Sequence, residues 1–311
     1  KARSIRRRVQ QPSWDLRTKL GPLLVTVLFR LLACLPLTLL QILGYGAGWL
    51  VWILPGSYKR RAAENLAIAM PEASPQILRA SLISVGQLFF EMPYWHMRQN
   101  EAELVKKVQC DGWDEIQEAL SHGKGLILLG PHAGNFESLG AIYTSRFPAT
   151  VLFRPPRMKW LQDWIIKTRT RKNLTMAPAN HVGVRSLLKA LKRGQSIGIL
   201  PDQVPVAGEG VWAPFFGKQA YTTTLVQRLQ SITGAPIFVM AAQRNGIGKG
   251  YTVRYHAMKE PLSDDIETAA AQLNRAMEDM IKLMPTQYLW GYNRYRATRD
   301  KPQSDKSSAL P

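Results

Sequence analysis

A short apolar run, Gly125-Leu-Ile-Leu-Leu-Gly-Pro131, constrains the fold of this chain more than any other stretch. It does not alternate, so neither face of a strand built from it looks at water, and glycine and proline bound it. That pattern fits a strand buried in a parallel sheet, which needs helices on both faces. Such sheets carry their chemistry in loops beyond the carboxyl ends of the strands, and the next residues are His132-Ala-Gly-Asn-Phe-Glu137. A histidine needs a partner to fix its tautomer before it works as a general base, and the spacing offers Glu137. Spacing alone reads equally well as a loop histidine capping a helix whose first turn carries an acid.

Strands and helices alternate beyond this point. Strands are expected at 150–154, 175–178 and 196–200. Helices are expected from near Gly134 and Asn135, over 159–172, 184–192 and 222–233, and finally over 263–283 with Ser263 as N-cap. Residues 236–243 and 250–258 make a hairpin across Asn245-Gly-Ile-Gly248. Upstream, 60–70, 75–97 and 113–122 have helical spacing, 101–109 leads into a turn at Cys110-Asp-Gly-Trp113, and 204–217 reads as a Gly- and Pro-rich loop. The expectation is an α/β fold, a mixed, mostly parallel sheet flanked by helices, occupying 55–296. Residues 297–311 are polar and read as disordered.

The amino end (1–54) is different. Lys1, Arg3, Arg6, Arg7 and Arg8 form a basic arm, and between Arg30 and Lys59 there is neither a charged residue nor a histidine. Residues 31–54 would span about 36 Å as one helix, enough for a bilayer core. Pro36 and the Gly44/Gly46/Gly48 series speak against one straight helix, and Lys or Arg flank the run on both sides, so charge assigns no orientation. A bent monotopic anchor and a true span fit equally, with a buried core helix as the third possibility. The run is too long, and lacks the cleavage site, for a removable signal peptide. With 41 Lys and Arg against 22 Asp and Glu, the net charge of +19 calls for an anionic partner. No nucleic-acid module or aromatic-interleaved basic stripe is present, which sets nucleic acid aside. Cys34 and Cys110 make no disulfide framework, as expected in a reducing compartment.

Other motifs in the chain do not form a competing site. Gly194-Gln-Ser-Ile-Gly198 matches the G-x-S-x-G elbow, but here the helix precedes and the strand follows, the reverse of what a nucleophilic serine requires. His96, His122, His181 and His256 are scattered and form no metal pattern. His132 suits activation of a hydroxyl by proton removal, with Glu137 orienting the imidazole and Gly134 and Asn135 offering donors to an oxyanion. Arg154, Arg157, Arg169 and Arg171 gather near one strand end, as groups that bind phosphate or carboxylate. For Arg157 and Arg171 a solvated face fits equally well. Leu200-Pro-Asp202-Gln203 sets a carboxylate and an amide at another strand end, where Asp202 is either a site residue or a turn former.

These residues carry a resemblance. Gly130-Pro-His-Ala-Gly-Asn-Phe-Glu137 looks like the H-x4-[D/E] motif of glycerolipid acyltransferases. Together with Phe153-Arg154-Pro155, Arg169-Thr-Arg171, Leu200-Pro-Asp-Gln203, Pro214-Phe-Phe-Gly217, Thr222-Thr-Thr224 and Gln287-Tyr-Leu-Trp290 with Arg294, it resembles the late acyltransferases of lipid A biosynthesis. The resemblance implies a glycerolipid-acyltransferase-like fold at the inner membrane, with its site facing the cytoplasm. The implied reaction moves an acyl chain from acidic acyl carrier protein to a 3-hydroxyacyl hydroxyl on a Kdo-bearing lipid A precursor, without metal or prosthetic group. His132 would be the base and Glu137 its partner. Arg154, Arg169, Arg171, Asp202, Gln203 and Asn135 would bind or position substrate. Some relatives with this pattern use acyl-CoA and other glycolipids, which is the alternative enzyme reading, and a basic membrane-surface binder is the non-enzymatic one.

Overall fold

A computed structural model of the protein describes residues 16–296. The basic arm and the polar tail lie outside the described residues. In chain order the helices are α1 (Leu16–Cys34), α2 (Leu37–Ile53), α3 (Ser57–Ala69), α4 (Pro75–Met97), α5 (Glu101–Leu104), α6 (Trp113–Ser121), α7 (Phe136–Thr144), α8 (Lys159–Arg169), α9 (His181–Lys192), α10 (Leu225–Thr233) and α11 (Ile266–Leu283). The strands are β1 (Val108–Asp111), β2 (Leu126–Leu129), β3 (Ala149–Phe153), β4 (Leu174–Pro178), β5 (Ser196–Ile199), β6 (Gly210–Phe215), β7 (Lys218–Thr223), β8 (Ile237–Arg244) and β9 (Tyr251–Ala257).

Seven strands form one sheet in the order β1-β9-β8-β2-β5-β3-β4. From β8 to β4 the strands are parallel; β9 pairs antiparallel with β8, and β1 parallel with β9. The sheet is therefore mixed and mostly parallel. The apolar run 125–130 is its centre, and β2 is buried along its whole length. Ile127 and Leu129 pack on one face with Leu187 of α9, Leu229 of α10 and Met277 of α11. Leu126 and Leu128 pack on the other with Trp95 of α4, Ile116 of α6 and Ile142 of α7. A strand buried on both faces cannot alternate, which is why its sequence does not.

Three local readings differ from the structure. Val108–Asp111 is the edge strand β1 where a turn was expected; its parallel partner β9 lies far along the chain, so nothing local announces it. The loop expected over 204–217, with a helix from 222, is instead the hairpin β6–β7, set outside the main sheet. Pro214 masks its alternation, and both turn residues, Phe216 and Gly217, have positive φ (47° and 74°), as two-residue hairpin turns require. Asp265, not Ser263, caps α11, its carboxylate accepting from Thr268 N–H at 2.9 Å. Ser263 Oγ accepts from Asp265 N–H at 3.1 Å and sets up that turn.

At the amino end the chain breaks at Pro36. Among the described residues no single helix is long and apolar enough to cross a membrane; residues 21–34 and 37–53 reach that length only as a pair bent by 120°. Of the twenty large apolar side chains exposed among the described residues, twelve lie between Leu23 and Leu54, a concentration that marks an interaction surface. The other side of α2 is buried through Leu40, Gln41, Gly44 and Gly48. A Cβ on Gly48 would lie 2.3 Å from Ile83 Cα, and one on Gly44 would lie 2.5 Å from Gln87 Cα, so the backbones of α2 and α4 touch. Small residues permit such contact between helices.

Gly46, between them, has no atom within 4 Å of where its Cβ would be. Gly48→Ala should therefore destabilise by about 1–3 kcal/mol through overpacking, while Gly46→Ala should be neutral or slightly stabilising because alanine favours the helix. Thermal unfolding in detergent checks this, and equal shifts for the two variants would contradict the packed seam.

Candidate active site

The site lies at the carboxyl ends of β2, β3 and β5. Because β2 and β5 are hydrogen-bonded neighbours with Leu129 opposite Ile199, the loops that follow them carry His132 and Asp202 side by side. Asp202 is 2 % exposed. Its Oδ2 accepts from His132 N–H at 2.9 Å and its Oδ1 lies 2.6 Å from His132 Nδ1. An ionised carboxylate only accepts, so the Nδ1 carries the proton and the Nε2 keeps its lone pair. Gln203 Nε2 stands 3.2 Å from that lone pair as a donor. Burial pushes the Asp202 carboxyl up, but His132 and Arg294 outweigh it and leave the group below the usual carboxylate range.

Glu137 does not make the bond expected of it. It sits in the first turn of α7 and faces away from the ring edge, towards α4 and α8. His96 Nε2 lies 3.0 Å from its Oε2, and Arg169 donates to its Oε1 at 2.6 Å. The group that orients the imidazole is Asp202. Sequence spacing selected the nearer carboxylate along the chain; adjacency of β2 and β5 brings the other one to the ring. Burial raises the Glu137 pKa, yet Arg169 foremost and the bond from His96 draw it down to about 2. Glu137 therefore stays ionised close to His132 without touching the proton that fixes its tautomer. His96 was missed by sequence reasoning. It stands in the last turn of α4, and burial lowers its pKa, so it serves Glu137 as a neutral donor.

The loop that carries His132 is clamped from three sides. Leu289 N–H donates to His132 O at 3.1 Å, Gly134 N–H to Gln287 O at 2.8 Å, and Asn135 N–H to Ala242 O at 2.8 Å. The donors of Gly134 and Asn135, expected to face an oxyanion, are thus spent on protein carbonyls. The Asn135 side chain is committed as well. It caps α7 by accepting from Ser138 N–H at 3.1 Å and donates to Glu91 Oε2 at 2.8 Å. Glu91, with no exposure, also accepts from Arg244 (2.8 and 2.6 Å) and from Gln41 of α2 at 2.8 Å.

A cavity of about 1000 Å³ opens at His132, at the upper end of small-ligand sites. Glu137, Arg154, Arg169 and Gln203 border it, and apolar side chains such as Val184, Leu188, Phe153 and Ile165 form much of its wall. Arg154 is exposed at the end of β3. Arg171 also borders the cavity but is buried, and its guanidinium donates to the carbonyls of Trp95 and Arg98; it ties α4 to the start of β4. Arg157 is exposed. Ser196, of the G-x-S-x-G decoy, is fully buried at the opposite end of β5, its Oγ 2.5 Å from Tyr143 OH.

A family model described as bacterial lipid A biosynthesis acyltransferase matches residues 10–297. The chain belongs to this family. It is similar to the lipid A biosynthesis lauroyltransferase of Escherichia coli (strain K12), 29 % identical over an alignment of 277 residues, with 84 % of this chain and 87 % of the relative covered. A lipid A biosynthesis acyltransferase of Haemophilus influenzae is 28 % identical over 88 % of this chain and 89 % of its own. The lipid A biosynthesis palmitoleoyltransferase of Escherichia coli (strain K12) is 26 % identical over 76 % and 79 %.

In this acyltransferase the ionised Glu137 has a measurable signature. Its folded pKa, about 2, lies below the ordinary 4.5, so its contribution to stability is complete above about pH 4.5 and is lost as pH falls towards 2. Glu137→Gln removes that contribution at neutral pH. The stability difference between wild type and variant should be largest at pH 5–7 and shrink on acidification towards pH 2.5. Thermal midpoints measured across this range decide it; parallel pH profiles would count against the ion pair.

Proposed function

We propose that the protein moves a fatty acyl chain from acyl carrier protein to the hydroxyl of a 3-hydroxyacyl chain on a lipid A precursor, with His132 as general base. The single observation that carries this reading is the His132 imidazole, held by Asp202 with its Nε2 lone pair facing only the Gln203 amide, in the wall of a partly apolar cavity. Family membership supplies the reaction class.

In the proposed step the acceptor hydroxyl displaces the Gln203 amide from His132 Nε2. Its oxygen attacks the thioester carbonyl while Nε2 takes the proton. The imidazolium is stabilised by Asp202 in direct contact and by Glu137 through space. As the tetrahedral intermediate collapses, the carbon–sulfur bond breaks and the proton passes from His132 to the departing thiolate. No metal or prosthetic group takes part in this scheme. Arg169 spends one nitrogen on Glu137, while its buried Nε–H has no acceptor, and with Arg154 it forms the anion-binding side of the cavity.

The same reading sets the enzyme on the cytoplasmic face of the inner membrane. The exposed apolar side chains of α1 and α2 support a monotopic anchor, since the pair is bent and α2 is fastened to α4. At the end of α2, Trp49 and Trp52 pair with Arg79 and Lys59 at 5.4 and 4.5 Å, as aromatic and cationic residues do at a lipid headgroup layer.

His132→Ala should lower kcat by about 10²–10⁴-fold with membrane association unchanged. Asp202→Asn should fall almost as far, because an amide facing Nδ1 moves the ring proton to Nε2. Transfer from purified acyl carrier protein, followed by mass spectrometry of the lipid product, measures both. A near wild-type rate for His132→Ala would end the base assignment, and one for Asp202→Asn would return the orienting role to another group.

A further inference from the structure

Besides His132, two groups of side chains on different helices line the cavity, and we call them its two rims. Ile165 and Arg169 of α8 form one. That helix leans on α1, where Trp164 Nε1–H donates to Thr26 Oγ1 at 3.0 Å and the indole meets Phe29 edge-on at 4.7 Å. This rim adjoins the exposed apolar helix pair. The second rim lies between α9 and α10, where Val184, Leu188, Arg228 and Ile232 line the cavity. Here α9 packs on β3, β4 and β5, and α10 on α9 and α11.

The outer face of α9 is strongly basic. Gly183, Leu187, Ala190 and Leu191 are its buried residues, while Arg185, Lys189 and Lys192 are exposed. Their i, i+4, i+7 spacing sets three cations on one stripe. No Asp or Glu stands in the chain between Asp163 and Asp202, and α10 contains none. Among the described residues none of the three cations enters an ion pair. Glu209 is an acid that borders the cavity, as does Arg228. Val182 and Ile232, on the same two helices, are 65 % and 61 % exposed. Two apolar side chains beside a cationic stripe suit a protein with an acidic face, whereas a membrane would call for the broad apolar surface that α1 and α2 present.

We propose that the α9–α10 rim is the docking surface for the acyl donor's carrier, a small acidic protein that lays its acidic face along Arg185, Lys189 and Lys192. Its thioester arm then enters between α9 and α10, and the lipid acceptor comes in past α8. This rests on the acyl-transfer reading above, and assigns to the two substrates separate entrances that meet at His132. Charge complementarity of this kind acts mainly on encounter, so it raises the association rate and is weakened by salt.

The test is the charge-reversed variant R185E/K189E/K192E in detergent-solubilised full-length protein, compared with wild type on two donors bearing the same acyl chain. One is acyl carrier protein; the other is acyl-pantetheine, which keeps the thioester arm and lacks the protein. The variant should show a KM for the carrier-linked donor raised about tenfold or more, kcat within about twofold, and a flattened salt dependence. Its KM for acyl-pantetheine and its binding to anionic vesicles should stay at wild-type levels. An unchanged KM for the carrier-linked donor overturns the docking surface alone, provided wild type uses that donor. Equal losses on both donors, or loss of vesicle binding in step with activity, overturn it in favour of a folding defect or a membrane-facing stripe. Wild-type protein inert towards carrier-linked donor overturns the donor reading and the docking surface with it.

Discussion

A carboxylate sealed from water must be fully paired, and Glu91 is the one on which the arrangement around the site depends. Arg244 at the end of β8 grips both of its oxygens, Asn135 at the start of α7 donates to one, and Gln41 of α2 to the other. Three elements that are remote in sequence are thereby fixed to one point of α4. Removing one partner of such a pair costs about 3–5 kcal/mol because a charge is left unpaired in the interior. The consequence for chemistry is positional. Asn135 both answers Glu91 and caps α7, so the helix that carries Glu137 starts where the buried ion pair allows, four residues beyond His132.

The second constraint is the pairing of β2 with β5. It delivers Asp202 to His132 with both carboxylate oxygens used, one on the backbone and one on the ring. Two carboxylates then serve one histidine in different ways. Asp202 fixes tautomer and rotamer by contact, and Glu137 adds negative charge nearby while being held by His96 and Arg169. The Gln287–Leu289 segment closes the loop from the far side, so the imidazole is braced before any substrate arrives. Such bracing matters because a base is effective only when its lone pair already points at the proton it will take.

Much of the sheet was legible. The 125–130 run, the helix over Pro75–Met97 and the late hairpin follow from local patterns, because buried strands and amphipathic helices write their burial into residue order. The break at Pro36 was legible for the same reason. What escaped was non-local or locally disguised. The short polar β1 exists because β9 offers it an edge, and Pro214 hides the β6 alternation. At the site, His132, Asp202 and Gln203 were all marked, but their relation was not. His96 carried no sequence signal, since a buried histidine at the end of a core helix is indistinguishable from packing until its partner is known.

The order of residues thus determined the strand, the helices, the histidine at the strand end and the cationic excess that gives α9 its charged face. Tertiary structure decided which carboxylate meets the imidazole, because hydrogen bonding depends on strand adjacency and side-chain direction rather than on distance along the chain. It also decided that Gly48 is a contact and Gly46 is not, and that Asn135 supports the fold instead of facing substrate. Sequence places chemical groups on elements; only the packing of those elements sets the few ångströms over which proton transfer and ion pairing act.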